Sequence, residues 1–243
     1  MTARKSTLRG RQASPPGLHW RLDGAAAAPD APLVLALHGW GMDEDFFSRL
    51  LQGLFPRPFR FLFPRAPFPA RPHAAEPEAE EAARAAQPVR GGSWYRYDGD
   101  QAAFRRELER VERELIGFVG DVEREQGIAP VRRYLVGFSQ GGYCGAWVAL
   151  RHTDVFSGMA IVGARVKTEF LTGELRLAAE RDFRVLLCHG TRDASVKPEA
   201  AERSHAELTA AGVRTELRTF DAGHSFGREQ VEAVGEWLDA REV

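Results

Sequence analysis

The sequence predicts an α/β fold, with a mostly parallel central sheet covered by helices on both faces. Three observations predict it. Short continuous apolar runs, such as Leu33-Val34-Leu35-Ala36-Leu37 and Val185-Leu186-Leu187-Cys188, have the all-round apolarity of strands buried on two sides. These runs alternate with helical segments nearly to the C-terminus. Between one strand and one helix lies Gly137-Phe138-Ser139-Gln140-Gly141, a G-x-S-x-G string at a sharp turn.

The elements follow in order. The run over 33–37 ends at His38-Gly39 and reads as a buried parallel strand. Asp43 and Glu44 open a helix reaching about Leu54. Residues 59–63 form the next strand, closed by Pro64. Residues 65–90 are rich in Pro, Ala and Glu without a sustained apolar period, so they read as a surface excursion with a short helix over 76–86. From 101 to 125 the apolar residues Phe104, Leu108, Val111, Leu115, Phe118 and Val122 step by four and three, which is an amphipathic helix stopped by Gly127. Tyr134-Leu135-Val136 leads into the G-x-S-x-G turn, and residues 143–150 continue it as a buried helix. Strands are expected over 155–162, 184–188 and 213–220, and helices over 171–179, 199–211 and 228–240.

A chain of 243 residues can bury a sizeable core, and the alternation favours one domain over residues 17–243. Residues 1–16 are basic but lack the apolar stretch of a signal peptide, so they read as a disordered arm. A formal net charge of −1 gives no electrostatic footprint for nucleic acid. No apolar run is long enough to span a bilayer, and no stable membrane insertion is expected. Cys144 and Cys188 do not make a disulfide framework and read as reduced, buried thiols of a cytoplasmic protein.

The chemistry centres on Ser139. A serine on a strand-to-helix turn projects its hydroxyl at the helix N-terminus, and side chains at Gly137 or Gly141 would crowd that turn. The hydroxyl needs a base within reach and a third group to orient the base. Of seven histidines, His224 sits in a Gly-His pair between the last strand and the last helix, and it is the candidate base. His38 and His189 precede glycines at strand ends and read as packing groups beneath the site, whereas His19, His73, His152 and His205 read as surface residues.

The acid is expected after a strand lying between the serine and the histidine, where Asp193 stands. Asp221 is its rival but is better explained as a turn former, and Asp182 lies before its strand, at the wrong edge. Two N–H groups are candidates for binding an oxyanion: that of Gln140, at the start of the helix, and that of Trp40, in the turn after the strand at 33–37. Trp40 can also wall a pocket with its indole. Trp94 and Tyr95, in Gly91-Gly92-Ser93-Trp94-Tyr95, either line a pocket or shore up the excursion. With Met42 and Val196 they are the candidate pocket residues. No metal site is expected, since H-E-x-x-H and C-x-x-C are absent.

These residues resemble the α/β-hydrolase fold, and within it the phospholipase/carboxylesterase family that includes acyl-protein thioesterases. The matching strings are Leu37-His38-Gly39-Trp40-Gly41, Pro64-Arg65-Ala66-Pro67, Gly137-Phe138-Ser139-Gln140-Gly141-Gly142, His189-Gly190-Thr191-Arg192-Asp193 with Val196, and Gly223-His224; Gly92-Ser93-Trp94-Tyr95 looks like the family's aromatic segment. The resemblance covers about Leu33 to the C-terminus. It implies Ser139 as nucleophile, His224 as base, Asp193 as its orienter, and the Trp40 and Gln140 N–H groups as oxyanion hole. The acidic, proline-rich stretch over 70–88 departs from the family pattern.

The expected activity is hydrolysis of a small-molecule acyl ester or thioester through an acyl-enzyme, with no cofactor. Two rivals stand beside it. One is a serine peptidase or a non-hydrolytic triad relative, although the chain is short for a peptidase of this fold with a size-excluding domain. The other is a binding protein that kept the fold and lost the chemistry. A homodimer is possible through a sheet edge or helix, and the excursion is a candidate partial cap.

Overall fold

The apolar runs are strands because two cores, one on each face, take their side chains alternately. This is seen in the computed structural model, which describes residues 7–14, 16–24, 30–70 and 91–241. Among these the elements are β1 (Leu8–Arg11), β2 (His19–Gly24), β3 (Leu33–Leu37), α1 (Glu44–Leu50), β4 (Arg60–Pro64), β5 (Phe68–Pro69), β6 (Gly92–Ser93), α2 (Gln101–Gln126) and β7 (Arg133–Phe138). They continue as α3 (Gln140–Arg151), β8 (Gly158–Val162), α4 (Thr172–Glu180), β9 (Arg184–Gly190), α5 (Pro198–Ala210), β10 (Arg214–Phe220) and α6 (Arg228–Asp239). Leu33, Leu35, Leu37, Leu135, Met159 and Ile161 pack with α2, α3, α4 and α5. Their neighbours Val34, Ala36, Val136, Phe138, Ala160 and Val162 pack with α1, α6 and the phenylalanines of β4.

The main sheet has eight strands in the order β1-β2-β4-β3-β7-β8-β9-β10. From β4 to β10 every pairing is parallel, while β1 and β2 add an antiparallel edge. The chain steps from β3 to β4 on one side and to β7 on the other. That reversal makes a topological switch point between β3 and β7, and open α/β sheets bind ligands at the carboxyl ends of the strands beside such a point. The 3-10 turn Leu51–Leu54 completes the helix expected to reach Leu54. The α2 helix buries all six of its expected apolar residues, with Asp100 capping its start and Gly127, at φ 62°, closing its end.

One expectation is corrected. Within the segment read as a disordered arm, Leu8–Arg11 is a strand, paired with β2 from Leu8↔Leu22 to Arg11↔His19. The Trp20 indole lies over Gly10, where a Cβ would stand 2.4 Å from the ring. Cross-strand packing on an aromatic thus orders a segment that has little apolar content of its own. Of the excursion, residues 65–70 are described: Phe68–Pro69 pairs antiparallel with Gly92–Ser93. The helix expected over 76–86 lies outside the described residues. No helix of the described residues is long and apolar enough to cross a membrane. Cys144 and Cys188 are free and buried, and burial pushes the Cys188 thiol up to about 12.

Candidate active site

Ser139 lies between the last residue of β7 and the first of α3, with φ 50° and ψ −118°. A non-glycine residue at such a conformation costs about 1–3 kcal/mol and persists only where its surroundings hold it. Here the Ser139 N–H donates to the Val162 carbonyl at 2.9 Å, and its own carbonyl accepts from the N–H groups of Gly142 and Tyr143. The turn is crowded as the sequence predicts. A Cβ at Gly141 would stand 2.3 Å from the Leu37 carbonyl oxygen, and one at Gly137 would stand 2.6 Å from the Gly141 carbonyl oxygen.

Three side chains from three strand ends meet at this turn. His224 Nε2 lies 2.8 Å from Ser139 Oγ, and His224 Nδ1 lies 2.7 Å from Asp193 Oδ2. The other Asp193 oxygen accepts the N–H groups of Ser195 and Val196, each at 2.9 Å. Burial works against the Asp193 carboxylate, yet the Val196 N–H, His224 and the Ser195 N–H outweigh it and hold its pKa below the usual carboxylate range. An ionised Asp193 can only accept, so a hydrogen bond at this contact is donated from His224 Nδ1. Asp221, 85% exposed at its side chain, pairs with Arg192 instead. Asp182 stands just before β9, at the opposite edge of the sheet.

The ring of His224 rests on Phe138, with centroids 5.2 Å apart at 30°. Gly163 lies beneath both: it has φ +60°, and a Cβ there would come within 3.1 Å of Phe138 and 3.3 Å of the imidazole. Neither contact was signalled in the sequence, because Gly163 belongs to no recognisable string.

The turn after β3 faces the start of α3. Its Trp40 is 37% exposed, and among the described residues the Trp40 N–H has no acceptor. The Met42 N–H closes the turn onto the Gly39 carbonyl at 3.2 Å. His38 and His189 lie beneath the site, both buried. Burial lowers the His38 pKa to about 4 against the pull of its bond to Gly39. The neutral ring donates from Nδ1 to the Gly39 carbonyl at 2.8 Å and accepts the Ala66 N–H at Nε2. His189 donates from Nε2 to the Val196 carbonyl at 2.7 Å, with Asp193 Oδ2 3.4 Å away.

The four candidate pocket residues are placed differently from one another. Trp94 and Tyr95 are buried in the core, so their rings take the shoring position of the two readings. Trp94 Nε1 donates to the His38 carbonyl at 2.8 Å, and Tyr95 packs on Phe104. Met42 packs against the phenylalanine-rich core. Val196 is half-buried and bonds through its backbone to Asp193 and His189. The Gln140 side chain, unassigned at the outset, bonds to Ser93, Trp94 and Tyr95.

A profile of the Phospholipase/Carboxylesterase family matches residues 24–241. A probable carboxylesterase of Oryza sativa subsp. japonica is 28% identical over 243 aligned residues, spanning 93% of this chain and 85% of that protein. A SOBER1-like probable carboxylesterase of Arabidopsis thaliana is 29% identical over 123 residues, half of this chain and 47% of that protein. Among solved structures, esterase PE8 superposes with a TM-score of 0.68 at 21% identity over 97% of both chains. Zea mays acyl-protein thioesterase 2 superposes with a TM-score of 0.67 at 18% identity over 98% of both. The two structural likenesses share the α/β-hydrolase fold, and the profile, covering nearly the whole chain, decides the rest: this chain belongs to the phospholipase/carboxylesterase family of hydrolases.

Proposed function

We propose that the protein is a serine hydrolase that cleaves carboxylic esters or thioesters through an acyl-enzyme. The observation that carries this reading is the unbroken path Ser139 Oγ–His224–Asp193, with contacts of 2.8 and 2.7 Å. Ser139 Oγ attacks the acyl carbonyl while His224 Nε2 takes its proton. The carbonyl oxygen becomes an oxyanion and accepts the N–H groups of Trp40 and Gln140, aided by the positive end of α3. Collapse breaks the bond to the alcohol or thiol, which leaves with the proton held by His224. Water then attacks the acyl-enzyme by the same route, releasing the acid and Ser139. Asp193 steadies the imidazolium formed in each half. The buried, free state of Cys144 and Cys188 supports a cytoplasmic setting for this chemistry.

The test is hydrolysis of p-nitrophenyl esters from acetate to palmitate, beside matching acyl-thioesters, with Ser139→Ala as control. Turnover is expected in the wild type, with a chain-length optimum that sizes the acyl pocket, and loss of turnover in a folded Ser139→Ala. Substantial turnover in that variant overturns the assignment. A fluorophosphonate that labels wild type at Ser139 separates the enzyme from a silent binding protein.

A further inference from the structure

Gln140 opens α3 directly after Ser139, and its buried side chain reaches across to the segment that returns from the excursion. Its Oε1 accepts the Trp94 N–H at 2.8 Å. Its Nε2 donates to the Tyr95 carbonyl at 2.9 Å and to Ser93 Oγ at 3.0 Å. Ser93 in turn donates to the Tyr95 carbonyl at 2.8 Å. The amide orientation is forced, since a backbone N–H needs the oxygen and a backbone carbonyl needs the nitrogen.

The same segment grips the turn that carries Trp40. The Gly41 N–H donates to the Gly92 carbonyl at 3.0 Å, and the Gly92 N–H donates to the Met42 carbonyl at 2.8 Å. Trp94 Nε1 holds the His38 carbonyl at the other end of the turn. Residues 38–42 are thus tied to 92–94 on both sides of Trp40, and 93–95 are tied to Gln140.

We propose that the Gln140 carboxamide is a positioning residue, which sets the distance between the two oxyanion donors, its own N–H and that of Trp40. This deepens the serine-hydrolase reading and rests on it. The donors come from turns about a hundred residues apart in sequence, and an oxyanion needs both at 2.7–3.1 Å. A brace that starts on one donor's residue and ends on the other donor's turn fixes that geometry. Only a carboxamide supplies the acceptor and the donors together: glutamate lacks the donors, and leucine or methionine lacks both.

The test compares wild type with Gln140→Met and Ser93→Ala, each of which keeps the Gln140 N–H. Three quantities are measured: ester kcat and KM, inhibition by a trifluoromethyl ketone carrying the preferred acyl chain, and amide hydrogen exchange at 38–42 and 92–95. In Gln140→Met, kcat is expected to fall at least about tenfold with KM within about twofold, and the ketone, whose adduct places an oxyanion on the same donors, to weaken in step. Exchange should rise in both segments. A folded Gln140→Met with unchanged kcat and ketone inhibition overturns the proposal, as does faster exchange at 92–95 with none at 38–42. If Gln140→Met does not fold, Ser93→Ala decides by the same criteria with smaller shifts. Failure of the serine-hydrolase reading shows separately, as wild type that neither turns over nor reacts with fluorophosphonate; the exchange measurement then still judges the brace.

Discussion

His224 Nδ1 lies 2.7 Å from Asp193 Oδ2, the oxygen left over once Oδ1 has accepted two backbone N–H groups. Asp193→Asn keeps the shape but can present its NH₂ to His224, favouring the wrong tautomer. Turnover should fall roughly 10³- to 10⁴-fold. Asp221→Asn, an exposed change, should stay within about twofold. Steady-state kinetics on one ester rank the two variants, and the reverse order reassigns the acid.

Ser139 holds φ 50° against its own preference. Both Ser139→Ala and Ser139→Gly should be inactive, but glycine relieves the strain that alanine keeps. The Gly variant should be more stable than the Ala variant by about 1 kcal/mol, after its greater unfolded-state freedom is subtracted. Urea midpoints of the two proteins check this; an alanine variant as stable as the glycine one means the turn is unstrained.

Gly163 underlies both Phe138 and His224. Gly163→Ala should displace the imidazole from Ser139 Oγ and lower kcat by about 10- to 100-fold, since small misplacements of a catalytic base are costly. Fluorophosphonate labelling of Ser139 should slow in parallel. Full-rate labelling would show that the ring has room to move aside.

His38, at a pKa of about 4, refuses a proton that the unfolded chain accepts near 6.5. Between those values the unfolded state binds more protons, so stability rises with pH and is lost as pH falls from about 6.5 toward about 4. The loss from this group approaches about 3 kcal/mol at the acid end. His38→Gln, neutral throughout, should show a shallower decline of urea midpoint over that window. Parallel curves for the two proteins refute the assignment.

The excursion over 65–90 is the candidate partial cap, and residues 74–86 are the stretch whose deletion tests it. Deleting them should leave the protein folded, because the chain on either side is already paired at Phe68↔Ser93 and Pro69↔Gly92. A shift in acyl-chain preference on deletion supports a cap over the pocket, and an unchanged preference argues against it.

What the sequence made legible follows from what each feature depends on. The strands β3, β7 and β9 announce themselves because burial on both faces demands apolar residues throughout. That Ser139, Asp193 and His224 meet was legible because Ser139 and Asp193 each follow such a strand in a short string, and His224 stands in a Gly-His pair after the half-exposed edge strand β10. The β1 strand is silent because its order comes from Trp20 lying over Gly10, a contact between two strands. Gln140 declared its backbone but not its side chain, whose partners lie 45–47 residues away. Trp94 and Tyr95 read equally as lining or shoring because what decides between them, the bond from Trp94 to the His38 carbonyl, joins positions 56 residues apart.

The paired root of the excursion bears on how much change this chain tolerates there. The Ala70 N–H donates to the Gly91 carbonyl at 3.1 Å, directly beyond the β5–β6 pair. Chain of any length joining Ala70 to Gly91 therefore departs from and returns to one fixed hydrogen-bonded step. For a flexible joining segment, doubling the length costs only about 0.6 kcal/mol. A segment of different length can therefore be joined at this step without resetting the turn that carries Trp40.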